Sequence, residues 1–491
     1  MSTFPCLVPG AISLTSSTGR MVPVLGGYVD IDTTAEPDLA AEFQRVGQIG
    51  PVVVDRGPAA LHRGFFRPKP RIAILGDSIS DQNTVTGVNG PDVESARGYM
   101  VQAKAILGAQ IAFDRSLEFG VSGETSGQIR ARLPIVLASA PDALVLLAGT
   151  NDVSWPWTTT RDNIRTIVDE CARRGIPVFV QTIFERTDDK WASSALTTAQ
   201  IQYERDRVMR INRWIYAYAQ LQAGLIPVNT TRALTDPLTG KIRTDVFADG
   251  LHPNALGAWL LGQALAAAIR PRLPVYDLAP FSVYDAWSAD NPGGNLISNP
   301  LMLGTGGSVA SASGFSGSVA DGWTLARTRS SAAVDSGTVA CSKVARDDGG
   351  IGYWQRAVAS NLVRAASDGN EIYSFQQVLL LSTAKYAVGQ RLKLVADYRL
   401  VSLSGPMHSC MVELRENNTP LGNFVGQGNG GSVGQNLQAG MYGRIESPPV
   451  TIRDGTGPSL LLNLSMGFDP RATAVSFTVD WGAVELRNVD A

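Results

Sequence analysis

From residue 69 to about 275 the chain repeats one pattern. A short run that is apolar at nearly every position is followed by a longer stretch with apolar residues at helical spacing. The short runs are RIAIL (71–75), RSLEF (115–119), ALVLLA (143–148), PVFVQTI (177–183) and LIPVN (225–229). A strand that is apolar on both faces must be covered on both, and helices between such strands suit parallel crossovers. IQYERDRVMRINRWIYAYA shows the helical half: Ile201, Val208, Ile211, Ile215 and Tyr218 recur on one side, with Glu204, Arg207 and Arg213 on others. The pattern predicts a three-layer α/β domain over 69–275, built on a mostly parallel five-stranded sheet with flavodoxin-like strand order.

The flanking regions read differently. Residues 1–68 combine short β-like runs (MVPVLGGYVDI, GPVVVD) with one helix that Pro37 would start and Gly47 end, and form an N-terminal extension or attachment module. Prolines and glycines mark a linker over 276–293. Beyond it, residues 294–491 carry short β runs such as RLKLVADYRLVSL, SLLLNLSMGF and AVSFTVDWGAVELRNV between glycine-rich turns, which predicts an antiparallel β-sandwich. Two formal motif matches, GxGxxG at Gly426, Gly428 and Gly431 and GxSxG over 430–434, share one glycine-rich loop. Neither stands at a strand-to-helix junction, so neither carries its usual chemistry.

Composition narrows the class. Charged residues are 18% of the 491, hydrophobic residues 44%, and the net charge is -2, the profile of an ordered globular protein. No basic cluster tracks phosphates, so no nucleic-acid partner is expected. The four cysteines, Cys6, Cys171, Cys341 and Cys410, form no CxxC pair, which argues against zinc and redox motifs and leaves buried free thiols. The start of the chain lacks the basic and apolar regions of a signal peptide. The longest apolar stretch, ALGAWLLGQALAAAI (255–269), is shorter than the ~18–20 residues that span a bilayer, so no membrane insertion is expected; it reads as a helix buried against a sheet.

The candidate chemistry lies at strand ends, where open α/β sheets place ligands. Gly76-Asp77-Ser78 follows the first strand directly, and Gly76 would allow a tight turn that presents the Ser78 hydroxyl. A nucleophilic serine needs a base, a group to orient it, and donors for the oxyanion. Among only three histidines, His252 stands out in ADGLHPN, three residues after Asp249, so one turn can hold carboxylate and imidazole together. His62 and His408 are expected to be structural. After the second strand, Gly123 lies in a turn that opens a helix, with its N–H outward. After the third, the Asn151 amide can donate into the same crevice.

Gly76-Asp77-Ser78, Gly123 within SGETS, Gly149-Thr150-Asn151-Asp152 and Asp249-Gly250-Leu251-His252 resemble, in order, the four sequence blocks of the SGNH (GDSL) hydrolases. GVSGETSGQIRARLP and DGLHPN are especially similar to the bacterial thioesterase and lysophospholipase branch. The resemblance implies Ser78 as nucleophile, His252 as general base and acid, and Asp249 as orienter. It also implies an oxyanion hole of the Ser78 N–H, the Gly123 N–H and the Asn151 side chain, with no metal or organic cofactor. An asparagine often precedes the second block in that family; here the segment reads FGVSG.

The second domain bears on the substrate. NLISNPLMLGTGG, ADGWTLAR and VSFTVDWGAVEL resemble the first and last strands of carbohydrate-binding jelly-roll modules. Trp323, Tyr353, Trp354 and Trp481 are candidates to stack on sugars or fill the core, and Trp155 and Trp157 to line the active-site rim. The expectation is a serine esterase removing acetyl or other small acyl groups from a polysaccharide. Its arrangement is similar to phage tail proteins that deacylate host glycans, with a homotrimer and other virion proteins as partners and a virion-associated location. The alternatives are a cytoplasmic lipase or thioesterase, and a non-catalytic virion receptor-binding protein.

Overall fold

The computed structural model describes residues 69–85, 93–273, 282–309, 314–327, 336–364, 371–380, 387–416, 419–427, 437–447, 449–453, 459–471 and 473–490, with short segments before residue 56 (2–5, 13–15, 21–25, 28–31, 38–39, 42 and 54–55). The chain divides into two compact units. The first holds residues 1–81, 111–242 and 267–274; the second holds 82–110, 243–266 and 275–491.

The central sheet of the first unit has strands β1 (Ile72–Gly76), β2 (Glu118–Gly120), β3 (Ala143–Leu147), β4 (Val178–Gln181) and β5 (Leu225–Val228). They pair in the order β5-β4-β3-β1-β2, every pair parallel. This is the flavodoxin-like order expected from the sequence. All five residues of β1 and of β3 are buried, which explains why those runs carry no polar position. The strand expected over RSLEF is displaced: Arg115–Leu117 form a 3₁₀ turn, capped where the Asp114 carboxylate accepts the Ser116 N–H at 2.8 Å, and only Glu118–Gly120 pair.

Helices α1 (Ser126–Ala131), α2 (Leu133–Ala138), α3 (Trp157–Arg173) and α4 (Thr198–Ala219) lie between the strands. A fifth, α5 (Ala255–Ile269), buries Ala258, Leu261 and Leu265 completely. Glu204 and Arg207, on other faces of α4 than its apolar stripe as expected, are 1% and 3% exposed and form an ion pair at 2.8 Å. They face the loop after β3, and the polar contacts they make there replace the water they lose.

Near the N-terminus, Ser2–Pro5, Ser13–Thr15, Met21–Leu25, Tyr28–Ile31 and Val54–Asp55 form a five-stranded antiparallel sheet. The helix expected between Pro37 and Gly47 lies largely outside the described residues, as do Cys6, His62 and the segment 428–436.

In the second unit, two sheets of six and seven strands make the expected β-sandwich. Aromatic rings join them: Tyr373 meets Phe468 edge-on at 4.9 Å, and Phe468 meets Phe477 of the other sheet at 5.3 Å. The aromatics considered for sugar stacking mostly belong to this core. Trp323, Trp354 and Trp481 are 1%, 3% and 0% exposed, and the Tyr353 ring, though partly exposed, is covered by the Lys343 ammonium at 4.4 Å. Cys171, Cys341 and Cys410 are free and buried, and burial pushes the Cys171 and Cys341 thiols up to about 12. His408 is buried beside Ser409.

Candidate active site

The loop after β1 is a single tight turn. The Asp77 carbonyl accepts the Ser80 and Asp81 N–H groups at 3.1 and 3.0 Å, and the Asp77 carboxylate accepts the Ile79 N–H at 3.0 Å. Asp77 is fully buried, whereas Ser78, carried on the same turn, is half-buried. Gly76 is required here for space: a Cβ would come within 2.3 Å of the Ser80 hydroxyl and 2.7 Å of the Leu147 carbonyl.

Gly123 lies two residues before the Thr125 cap of α1. It has φ +81° with open space around it, so backbone conformation is what favours glycine. Glu124 follows, and its carbonyl accepts the Asn151 side-chain amide at 3.0 Å. One strand-end loop is thereby tied to the next. The Asn151 nitrogen carries a second hydrogen for another acceptor.

The loop after β3 is fixed from several directions, by contacts the sequence reading did not foresee. The buried Asp152 carboxylate accepts the Ser126 N–H and hydroxyl at 2.8 and 2.5 Å and the Thr160 hydroxyl at 2.6 Å, locking the start of α1 to that of α3. Arg207 donates to the Gly149 carbonyl at 3.2 Å, Arg186 to the Thr150 carbonyl at 3.1 Å, and Glu204 accepts the Ser154 N–H at 2.6 Å. Burial lowers the Arg186 guanidinium from its ordinary value, opposed by the Glu204 carboxylate. Trp155 packs beside Gly127, and its carbonyl accepts the Tyr203 hydroxyl at 3.2 Å. Trp157 opens α3 with the Arg161 guanidinium 5.1 Å from its ring centre.

Asp249 and His252 come together in the second unit as their spacing predicts. His252 Nδ1 lies 3.0 Å from one Asp249 oxygen, and the other accepts the His252 and Leu251 N–H groups at 2.8 and 3.1 Å. One carboxylate thus shapes the turn and holds the ring. Asn254 extends the support, its side chain accepting the Gly257 N–H at 3.0 Å at the start of α5 and donating to the Asp245 carbonyl at 2.7 Å. Arg97, unremarked in the sequence, donates to the Pro253 carbonyl at 3.2 Å. Burial lowers its pKa while the Asp249 charge pulls it back up. Among the described residues, no three His, Cys, Asp or Glu side chains converge as metal ligands, and no helix is long and apolar enough to cross a membrane.

The parallel sheet in this order, with loops opening at its strand ends, is a flavodoxin-like α/β fold. Residues 74–260 match the GDSL-like Lipase/Acylhydrolase family, a similarity over part of the chain. No curated protein matches the chain. Several solved structures do. A GDSL-like lipase from Bacteroides thetaiotaomicron is 20% identical, with 43% of this chain and 93% of that one covered, at a TM-score of 0.32. The lipase/acylhydrolase from Enterococcus faecalis is 23% identical over 42% and 99% of the two chains, at 0.33. A catalytic mutant of an acetylxylan esterase from Geobacillus stearothermophilus is 20% identical over 41% and 93%, at 0.31.

Proposed function

We propose that the protein is a serine esterase that removes O-acetyl or similarly small O-acyl groups from a polysaccharide, with Ser78, His252 and Asp249 as its triad. The observation that carries the catalytic part is the Asp249–His252 hydrogen bond within a family domain of ester hydrolases. With Nδ1 facing the carboxylate, Nε2 is the atom that accepts the Ser78 proton. Ser78 Oγ then attacks the ester carbonyl carbon, and the bond to the sugar oxygen breaks as His252 returns the proton to that oxygen. Water, deprotonated by the same imidazole, attacks the acyl-enzyme and releases the acid.

The Ser78 and Gly123 N–H groups and the Asn151 amide are the donors this reading assigns to the oxyanion. Asn151→Ala should therefore lower kcat by about 10²–10³ for a nitrophenyl ester. An unchanged kcat would remove Asn151 from that role.

The polysaccharide part rests on the second unit. A cleft of about 620 Å³ lies between its sandwich, beside Tyr442, Arg399 and Asp397, and the segment 105–110. That volume is within the usual ligand range, and an exposed phenol ring among paired carboxylates and guanidinium groups suits sugar hydroxyls. Trp155 and Trp157, on the loop after β3, are assigned to the substrate rim. The setting implied is similar to that of phage tail proteins acting on host glycans, with a homotrimer as the assembly.

Acetate release from acetylated bacterial polysaccharides, comparing wild type with Ser78→Ala, tests the whole reading: release by both or by neither contradicts it. On nitrophenyl esters kcat/KM should fall from acetyl to decanoyl. A rise with chain length would favour a lipase or thioesterase instead.

A further inference from the structure

Arg132 occupies the single-residue junction between α1 and α2, and its side chain turns back under the strand ends. Its guanidinium donates to the Glu124 carboxylate through Nε at 2.7 Å, to the Phe119 carbonyl through Nη1 at 2.9 Å, and to the Gly76 carbonyl through Nη2 at 3.1 Å. Nη2 also lies 2.5 Å from the same Glu124 oxygen. Both side chains are largely buried, 20% and 15% exposed, so this pair is far less screened than a surface salt bridge.

The three acceptors belong to separate pieces of the site. Gly76 ends β1 two residues before Ser78, and its carbonyl also accepts the Val121 N–H at 3.1 Å. Phe119 is in β2. Glu124 is the residue after Gly123, and its carbonyl holds the Asn151 amide. One rigid fork therefore ties the chain beside Ser78 and beside Gly123, and reaches Asn151 through the Glu124 carbonyl that its amide bonds.

We propose that Arg132 is a positioning residue that sets the spacing of the Ser78, Gly123 and Asn151 donors, and so tunes stabilisation of the transition state more than substrate binding. The inference rests on the serine-esterase reading above. A planar five-donor group is needed because the acceptors lie in different directions, one of them a carboxylate; an ammonium on a flexible stem cannot meet all three at fixed geometry. Small displacements of such donors are costly, about 10²-fold for a misplacement near 1 Å. An oxyanion is held by the donors' placement in advance, whereas the ground-state ester depends on it less.

The test compares wild type with Arg132→Lys, Arg132→Ala and Glu124→Gln on nitrophenyl acetate, with melting temperatures recorded and Ser78→Ala as control. Arg132→Lys and Arg132→Ala should lose about 10²-fold in kcat with KM within a few-fold of wild type. Glu124→Gln, which keeps both carbonyl anchors, should lose less. Affinity for phenylboronic acid, which forms a tetrahedral adduct on a nucleophilic serine, should fall in parallel with kcat. Millimolar methylguanidinium should restore part of the activity of Arg132→Ala but not of Arg132→Lys.

Wild-type kcat in a folded Arg132→Lys overturns the inference while leaving the esterase reading intact. So does a loss that appears only as a lower melting temperature, with boronate affinity unchanged. A wild type no more active than Ser78→Ala overturns the esterase reading, and the inference with it.

Discussion

Ser78→Ala should lower kcat for a short-chain ester by about 10⁶, and His252→Ala by a similar factor, as expected of a proposed nucleophile and base that act as one unit. The double variant should be hardly worse than either single one, since removing the second member of a broken unit takes away nothing more. The residual rate, about 10³–10⁴ above water, belongs to the donors and to binding. KM should change little, because Ser78 forms its bond after the substrate has bound. Steady-state kinetics on nitrophenyl acetate check this. Losses that multiply in the double variant would mean that the two residues act independently.

Asp249→Asn is expected to cost on the order of 10³–10⁴ in kcat. The asparagine oxygen can still accept the Leu251 and His252 N–H groups, so the turn survives. The amide nitrogen then faces Nδ1 and donates to it, which moves the imidazole proton to Nε2. A ring protonated there cannot take a proton from serine. The Asp249 side chain is 42% exposed, so water can compete for Nδ1 and the loss should fall short of that at a fully buried carboxylate. A loss below tenfold with the fold intact would take the orienting role from Asp249.

Much of this was legible in the sequence for local reasons. Strands β1 and β3 are apolar throughout because they are covered on both faces, and the candidate residues follow them because strand ends are where this architecture opens. Asp249 and His252 were legible because three residues are about one turn. RSLEF misled because a local cap at Asp114 competes with the ladder, and a run of five residues cannot show which wins.

What stayed hidden was the polar support. Periodicity sets Glu204 and Arg207 off the apolar stripe of α4 but does not show that they satisfy each other and the loop after β3. Arg132 and Arg97 bond to backbone carbonyls distant in sequence, and a carbonyl leaves no mark on residue type. The tryptophans of the sandwich resemble a sugar platform in sequence, and only burial separates the two roles. Trp323 shows the difference: its indole N–H donates to the Asn299 carbonyl at 3.0 Å inside the core.

The central claim is that Ser78 becomes covalently acylated. Intact-protein mass spectrometry after treatment with a fluorophosphonate, followed by peptide mapping, tests it most directly. The account predicts one adduct per chain, on Ser78, absent from Ser78→Ala and formed far more slowly in His252→Ala. No adduct on the folded wild type, or an adduct mapped to another serine, would contradict it.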